Sequence, residues 1–117
     1  MISSFALDGH IVGVVLDRDL NDESLAEIIS IINKKLESHK SLNVYIELQK
    51  DCQVEFKAFM NGVIYKYSNA SKFDKLAIVT NLNWFKNAVK ISDIFLDVEV
   101  RTFENKERLD AINWISQ

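Results

Sequence analysis

Short apolar runs alternate along the chain with longer segments in which apolar residues recur at helical spacing. The first two runs, residues 2–7 and 10–16, are rich in β-branched residues and are separated by Asp8-Gly9. Asp-Gly between two such runs predicts a β-hairpin, because both turn positions favour positive φ. The stretch from Ile11 to Leu16 is apolar without alternation, which indicates an inner strand covered on both faces. Three later stretches also have strand patterns, the last of them typical of a sheet edge: residues 44–48, 76–79 and 98–101.

Four segments with helical periodicity follow or separate these strands. The first covers residues 21–39, where Asn21 is a suitable N-cap and is followed by an acidic first turn. Asp51, Asn81 and Asn105 are each predicted to cap one of the three later helices. Periodicity predicts the following inward faces: Leu25, Ile28, Ile29, Ile32 and Leu36 on the first helix; Phe56, Phe59, Met60, Val63 and Tyr67 on the second; Trp84, Phe85, Ala88 and Val89 on the third; Leu109, Ile112 and Ile115 on the fourth.

The predicted order of elements is ββαβαβαβα. Strand–helix–strand units require mostly parallel pairing with right-handed crossovers, and the first hairpin adds one antiparallel strand. The pattern therefore predicts an α/β fold with a five-stranded, mostly parallel mixed sheet covered by about four helices. At 117 residues and 13.5 kDa, we expect residues 1–117 to form a single domain.

The composition of the chain argues against several classes of partner and site. The net charge is −3, the lysines are scattered and there are only three arginines, so nucleic acid is not an expected partner. The single cysteine and two distant histidines predict no disulfide and no metal site, and no cofactor is expected. No apolar run is long enough to span a bilayer, and the first residues do not have the pattern of a signal peptide. These features predict a cytoplasmic protein. Because the chain contains no proline, its turns and helix caps depend on asparagine, aspartate and serine.

Several stretches in the second half of the chain resemble those of a known family. They are residues 74–80 (DKLAIVT), Trp84, residues 88–90, residues 99–103 (EVRTF) and residues 111–114. With the element order, they make the chain similar to the bacterial SpoIIAA-like family, which is grouped with STAS domains of anti-sigma-factor antagonists and with SEC14-type lipid-binding domains. The resemblance covers essentially the whole chain. It implies a non-enzymatic binding or signalling module that holds a small apolar or amphipathic ligand or a partner protein.

Two departures from the family pattern bear on function. STAS antagonists carry a phosphoacceptor hydroxyl after the third strand, whereas residues 49–53 of this chain (QKDCQ) contain no hydroxyl group. A switch based on phosphorylation is therefore not expected here. Related proteins often have an acidic residue three positions before the tryptophan, where this chain has Asn81, which can still cap a helix.

The candidate ligand site lies at the carboxyl ends of the inner strands, where open α/β sheets bind their ligands. Two groups of residues are predicted to form it: Asp51, Cys52 and Gln53 after the third strand, and Asn81, Asn83 and Trp84 after the fourth. The SEC14-type resemblance adds the second helix as a lid over an apolar cavity, with Phe59 as a ligand contact. The alternative is that the aromatic residues of this helix are core residues.

Cys52 also supports a different hypothesis. If Asp51 is the N-cap, Cys52 lies in the first helical turn, where backbone amides favour a thiolate and a redox or enzyme-like role. The alternative is a small buried apolar residue.

Residues 91–96 are too apolar for a solvent-exposed connection. One interpretation is a contact surface of a homodimer, formed by Ile91, Ile94, Phe95 and Leu96 and either accompanying a binding function or purely structural. The other interpretation is that the third helix continues to about Leu96 and turns these side chains inward.

Overall fold

The computed structural model describes residues 2–6, 9–92 and 98–117. Within these ranges, strands and α-helices follow one another in the predicted order, ββαβαβαβα, so the predicted α/β fold class is confirmed. Two short 3₁₀ turns, Ala70–Lys72 and Asn105–Glu107, precede β4 and α4. The elements are β1 (Ile2–Ala6), β2 (Ile11–Leu16), α1 (Asp22–Leu36), β3 (Leu42–Leu48), α2 (Phe56–Ser68), β4 (Phe73–Val79), α3 (Asn83–Ser92), β5 (Glu99–Phe103) and α4 (Arg108–Ile115).

The described strands form one sheet in the order β1-β2-β3-β4-β5. β1 is antiparallel to β2, and the other neighbouring strands are parallel. The predicted hairpin, the inner position of β2 and the edge position of β5 are therefore confirmed. Gly9 does not adopt the positive φ that the hairpin prediction assigned to it, and Asp8 lies outside the described residues.

The two faces of the sheet carry different helices. Every crossover from β2 onward moves one strand further in the same direction, and right-handed crossovers then place successive helices on the same face. Ile28 of α1, Ala58 of α2 and Val89 of α3 accordingly share one core with the sheet. α4 packs on the opposite face, where Trp114 lies in a second cluster with Tyr45 of β3. A ligand site on the first face would be covered by α1, α2 and α3, whereas a site on the opposite face would be covered by α4.

The N-terminus of α1 confirms the predicted asparagine cap. The side-chain oxygen of Asn21 accepts a hydrogen bond from the backbone N–H of Ser24 at 2.9 Å, and Ser24 Oγ accepts one from the backbone N–H of Asn21 at 2.8 Å. This reciprocal capping box satisfies two backbone donors that the helix would otherwise leave unpaired.

The caps predicted for the later helices are wrong. α2 begins at Phe56 with Glu55 as its N-cap, four residues after Asp51. Asp51 lies instead in the turn after β3 with φ of 72°, a left-handed conformation that aspartate tolerates better than most residues. Residues 52–55, which the sequence pattern assigned to the helix, therefore lie between this turn and α2.

Asn81 and Asn105 connect loops instead of capping helices. α3 begins at Asn83 and α4 at Arg108. Asn81 Oδ1 accepts a hydrogen bond from the backbone N–H of Asn105 at 3.0 Å, and Asn105 Nδ2 donates to the carbonyl oxygen of Leu48 at 2.7 Å. The two asparagines thereby join the carboxyl ends of β3, β4 and β5.

Candidate functional site

An apolar cavity lies beneath the three helices that cover one face of the sheet. Its volume is about 120 Å³, and its wall includes Ile28 from α1, Phe59 from α2, Val89 from α3, and Val44 and Ile78 from the sheet. Cores normally pack with few voids larger than a water molecule. Because its lining is almost wholly apolar and comes from three helices and the sheet, this cavity is the main candidate for a ligand site in the part of the chain that the structure describes.

α2 forms the outer wall of the cavity with a face that differs from the predicted one. Ala58, Phe59, Gly62, Tyr65 and Lys66 line the cavity. Of the predicted inward residues, only Phe59 and Val63 line the cavity, while the other three are exposed to solvent: Phe56, Met60 and Tyr67. Because α2 carries apolar residues on both faces, its periodicity does not identify the buried one.

α2 packs against α1 near Gly62. A Cβ atom at Gly62 would be 3.7 Å from Leu25 Cδ1 of α1, an ordinary van der Waals distance. Polar contacts join the same helices: Asn61 Nδ2 donates to Asp22 Oδ1 at 3.1 Å, and the Tyr65 hydroxyl donates to Asn33 Oδ1 at 2.7 Å. Partial burial raises the pKa of the Tyr65 phenol, so this donor keeps its proton. α2 is thus held over the cavity by side chains at two places along its length.

An aromatic cluster lies next to the cavity, where α2 meets α3. The ring of Phe59 packs edge-on against Trp84 with centroids 6.2 Å apart, and against Phe85 with centroids 5.8 Å apart. Trp84 remains 41% exposed. The structure therefore brings together two of the predicted site residues, Phe59 in the wall and Trp84 beside it, and makes the indole a potential optical reporter of the cavity.

The predicted residues at the strand ends do not line the cavity. Asp51, Gln53, Asn81 and Asn83 are all exposed. The backbone N–H of Gln53 donates to Asp19 Oδ1 at 2.8 Å, which joins this segment to the connection between β2 and α1. The rule that ligands bind at the carboxyl ends of parallel strands pointed to these loops. The cavity lies instead between the helices and one face of the sheet.

The environment of Cys52 contradicts the premise of the thiol hypothesis. Cys52 precedes α2 by four residues and is only 8% exposed, with its Sγ atom 3.8 Å from the carbonyl oxygen of Leu16. Burial raises the pKa of the thiol, and the carboxylates of Asp19, Asp17 and Asp51 raise it further. Both effects oppose formation of the nucleophilic thiolate.

We therefore expect Cys52 in the native protein to react with iodoacetamide at pH 8 at least 100-fold more slowly than in urea-unfolded protein. The protein is incubated with the reagent in the two states and the labelled fraction is followed by mass spectrometry. Equal rates in the two states would restore the thiol hypothesis.

A polar cluster on the α4 face was not identified as a site from the sequence. The Tyr45 hydroxyl donates to Glu47 Oε1 at 2.6 Å, Arg108 Nε donates to the same oxygen at 3.0 Å, and Arg108 Nη2 pairs with Glu47 Oε2. Tyr45 and Glu47 are both buried. Arg108 is 61 residues from Glu47, so no local pattern could indicate the contact. Both oxygens of Glu47 are engaged, which indicates that the cluster attaches α4 to the sheet.

Three further sequence expectations concern the contact surface, metal ligands and membrane spans. Ile91 is 68% exposed at the end of α3, whereas Ile94, Phe95 and Leu96 lie outside the described residues. Among the described residues, no three of His, Cys, Asp or Glu come together as metal ligands. In the same part of the chain, no helix has the length and apolar character needed to cross a membrane.

The order of strands and the shared face of α1–α3 are those of a STAS-like α/β module. The model of the SpoIIAA-like family matches residues 11–116. The chain therefore belongs to the SpoIIAA-like family.

A solved structure supports the fold independently. The chain is similar to the crystal structure of an uncharacterised protein of the DUF3478 family, with a SpoIIAA-like fold, from Shewanella loihica PV-4. The two share 16% sequence identity and superpose with a TM-score of 0.69 over 97% of this chain and 93% of the other. No curated protein matches the sequence. At this identity the likeness shows the fold alone.

Proposed function

We propose that this protein is a non-catalytic module that binds a small apolar or amphipathic ligand in the cavity beneath α1, α2 and α3. The observation that carries the proposal is the 120 Å³ apolar cavity that α2 covers on one side. An engineered apolar cavity of about 150 Å³ in another protein stays dry and binds benzene. A ligand of similar size therefore suits this one.

Packing considerations support the proposal. Atoms that line an apolar pocket lack contact partners on the side that faces it. A ligand that fills the cavity regains dispersion contacts and buries its own apolar surface.

The non-catalytic part of the proposal is supported by how the reactive side chains are used. Cys52 is buried beside carboxylates that oppose its ionisation. Glu47 is occupied by Tyr45 and Arg108. The family to which the chain belongs is generally non-enzymatic. A binding role in the cytoplasm, where a free cysteine stays reduced, accounts for these features together.

A cavity-filling variant tests the proposal. Ala58 is fully buried in the cavity wall, so Ala58→Leu places extra carbon atoms in the ligand's space. We expect wild-type protein to bind hexan-1-ol with one site per chain in isothermal titration calorimetry, and Ala58→Leu to lower the affinity at least tenfold.

The matched control is Ala26→Leu, the same change on the exposed face of α1. It should bind hexan-1-ol with the wild-type affinity. Equal binding by the folded Ala58→Leu variant and the wild type would show that the probe binds elsewhere.

A homodimer is a second proposal, and the exposed side chain of Ile91 favours it. Exposed apolar surface often marks a contact between proteins, and two-fold symmetric dimers are the commonest assemblies. Native mass spectrometry should find a dimer for the wild type and a monomer for Ile91→Asp. A wild-type monomer at micromolar concentration would exclude this proposal.

A further inference from the structure

α2 is apolar on the side that faces solvent as well as on the side that faces the cavity. Four of its large apolar side chains are 40–66% exposed: Phe56, Met60, Ile64 and Tyr67. A surface helix of a soluble protein normally turns a polar face to water, and a helix that is apolar all round is normally buried. The composition of α2 is therefore that of a helix that is also covered on its outward side.

The outward apolar residues have the spacing of a seam between two helices. Phe56, Met60, Val63 and Tyr67 follow one another at intervals of four, three and four positions, the alternation with which two helices pack along their length. These intervals are the same in either chain direction. A second α2 that runs antiparallel therefore places Phe56 opposite Tyr67 and Met60 opposite Val63.

The charges of α2 favour a second copy of this chain over a charged partner. The helix has two charged side chains: Lys57, which pairs with Asp22 of α1 at 3.2 Å, and Lys66, which is buried. An anionic membrane surface or an acidic peptide would be attracted by unpaired cations beside the apolar residues. An uncharged seam is instead complementary to an identical seam, because neither copy brings a charge that must be desolvated.

The exposed apolar area is that of a stable dimer interface. Trp84 of α3 adjoins α2 through the Phe59 ring, and Ile91 lies seven residues further on the same side of α3. At roughly 200 Å² for a fully exposed aromatic side chain, the three exposed aromatic residues of this surface offer about 300 Å², and its three aliphatic residues offer a similar area. A standard interface buries about 800 Å² on each partner, of which more than half is apolar.

We propose that this protein forms a two-fold symmetric homodimer in which the outward face of α2 packs antiparallel against α2 of a second copy, with Trp84 and Ile91 at the margin. This rests on the homodimer proposed above, since it assigns the surface through which the copies meet. A two-fold interface brings the same patch of both copies together. Met60 lies near its centre, within about one helical turn of the second copy's Met60.

Charge variants of Met60 test this arrangement by sedimentation equilibrium at micromolar concentration and pH 7.5. The side chain is 40% exposed, so a polar replacement leaves the core intact. The wild type should be a dimer. Met60→Glu and Met60→Lys should each raise the dissociation constant of the dimer at least 100-fold, because each places like charges together at the interface. An equimolar mixture of the two variants should form dimers again, because opposite charges then meet.

The matched control is Leu109→Glu, which places the same charge on an exposed apolar residue of α4. Its dissociation constant should stay within about threefold of the wild-type value. A dimer that persists in both Met60 variants would overturn the assignment to α2 and leave a homodimer through another surface. A mixture that remains monomeric would overturn the antiparallel seam. A monomeric wild type would overturn the homodimer itself, and its co-sedimentation with phosphatidylcholine vesicles would assign the face of α2 to a lipid surface instead.

Discussion

Replacing Arg108 with methionine is expected to lower the free energy of unfolding by about 3 kcal/mol, near the lower end of the range for breaking a buried ion pair. The Glu47 side chain is only 3% exposed, while that of Arg108 is 48% exposed. The variant therefore leaves a buried carboxylate without its cation, although water can reach part of the vacated space. Urea unfolding followed by circular dichroism at pH 7 measures the change.

Lys106→Met is the matched control, because Lys106 is a neighbouring base whose side chain is 81% exposed and pairs with Glu104 at 3.5 Å. Exposed pairs contribute about 0–1 kcal/mol, so this variant should remain close to the wild type. The double variant Glu47→Leu with Arg108→Met should recover much of the lost stability, because both charges are removed together. If Arg108→Met is as stable as Lys106→Met, the pair does not hold α4 on the sheet.

The free energy of unfolding is expected to fall as the pH rises above about 10, and Tyr45 is the main cause. Burial, together with the hydrogen bond to Glu47 and its charge, raises the pKa of the Tyr45 phenol above its usual value near 10. The folded protein therefore retains a proton that the unfolded chain releases. The stabilisation is fully present below pH 10 and is lost above it, with a slope of about 1.4 kcal/mol per pH unit from this group.

Tyr45→Phe removes this proton while leaving the ring in place. Urea unfolding at pH 9, 10 and 11 should show a shallower decline for the variant than for the wild type. Cys52 and Tyr65 also have raised pKa values, so some alkaline loss should remain in both proteins. Identical declines would mean that Tyr45 ionises as readily in the folded protein as in the unfolded chain.

The sequence predicted the elements whose signals are local. The apolar runs of β2 and β4 and the asparagine cap of α1 depend on neighbouring residues, and the structure places all three as expected. The strand order was not predicted; it follows the chain order, because each new strand is added beside the one before it. Local periodicity and handedness together were sufficient for the fold class.

The cavity and its wall were only partly predictable. Phe59 was expected at an apolar cavity under the second helix, and it lies in the wall. The inward positions of Tyr65 and Lys66 were missed, because α2 is apolar on both sides and the turn at Asp51 displaces its start. Only packing against α1 and the sheet determines which face of such a helix is buried.

Sequence patterns could not predict the polar contacts between residues that are distant in the chain. Glu47 contacts Arg108 because α4 packs on the face of the sheet opposite α1, α2 and α3. Asn81 contacts Asn105 because the loops that contain them lie together at the carboxyl ends of the strands. Each contact joins residues that are far apart in the chain. For Asn81 and Asn105, the residue type alone indicated helix caps.

Intermolecular nuclear Overhauser effects between hexan-1-ol and the protein's methyl groups show directly whether the cavity beneath α1, α2 and α3 binds a ligand. We expect contacts from the probe to the methyl groups of Ile28, Val44 and Val89, which line the cavity. We expect none to Ile11 and Val79, which lie in the cluster on the α4 face. Contacts confined to the α4 face, or no contacts to the cavity methyl groups at saturating probe, would mean that the cavity is not the binding site.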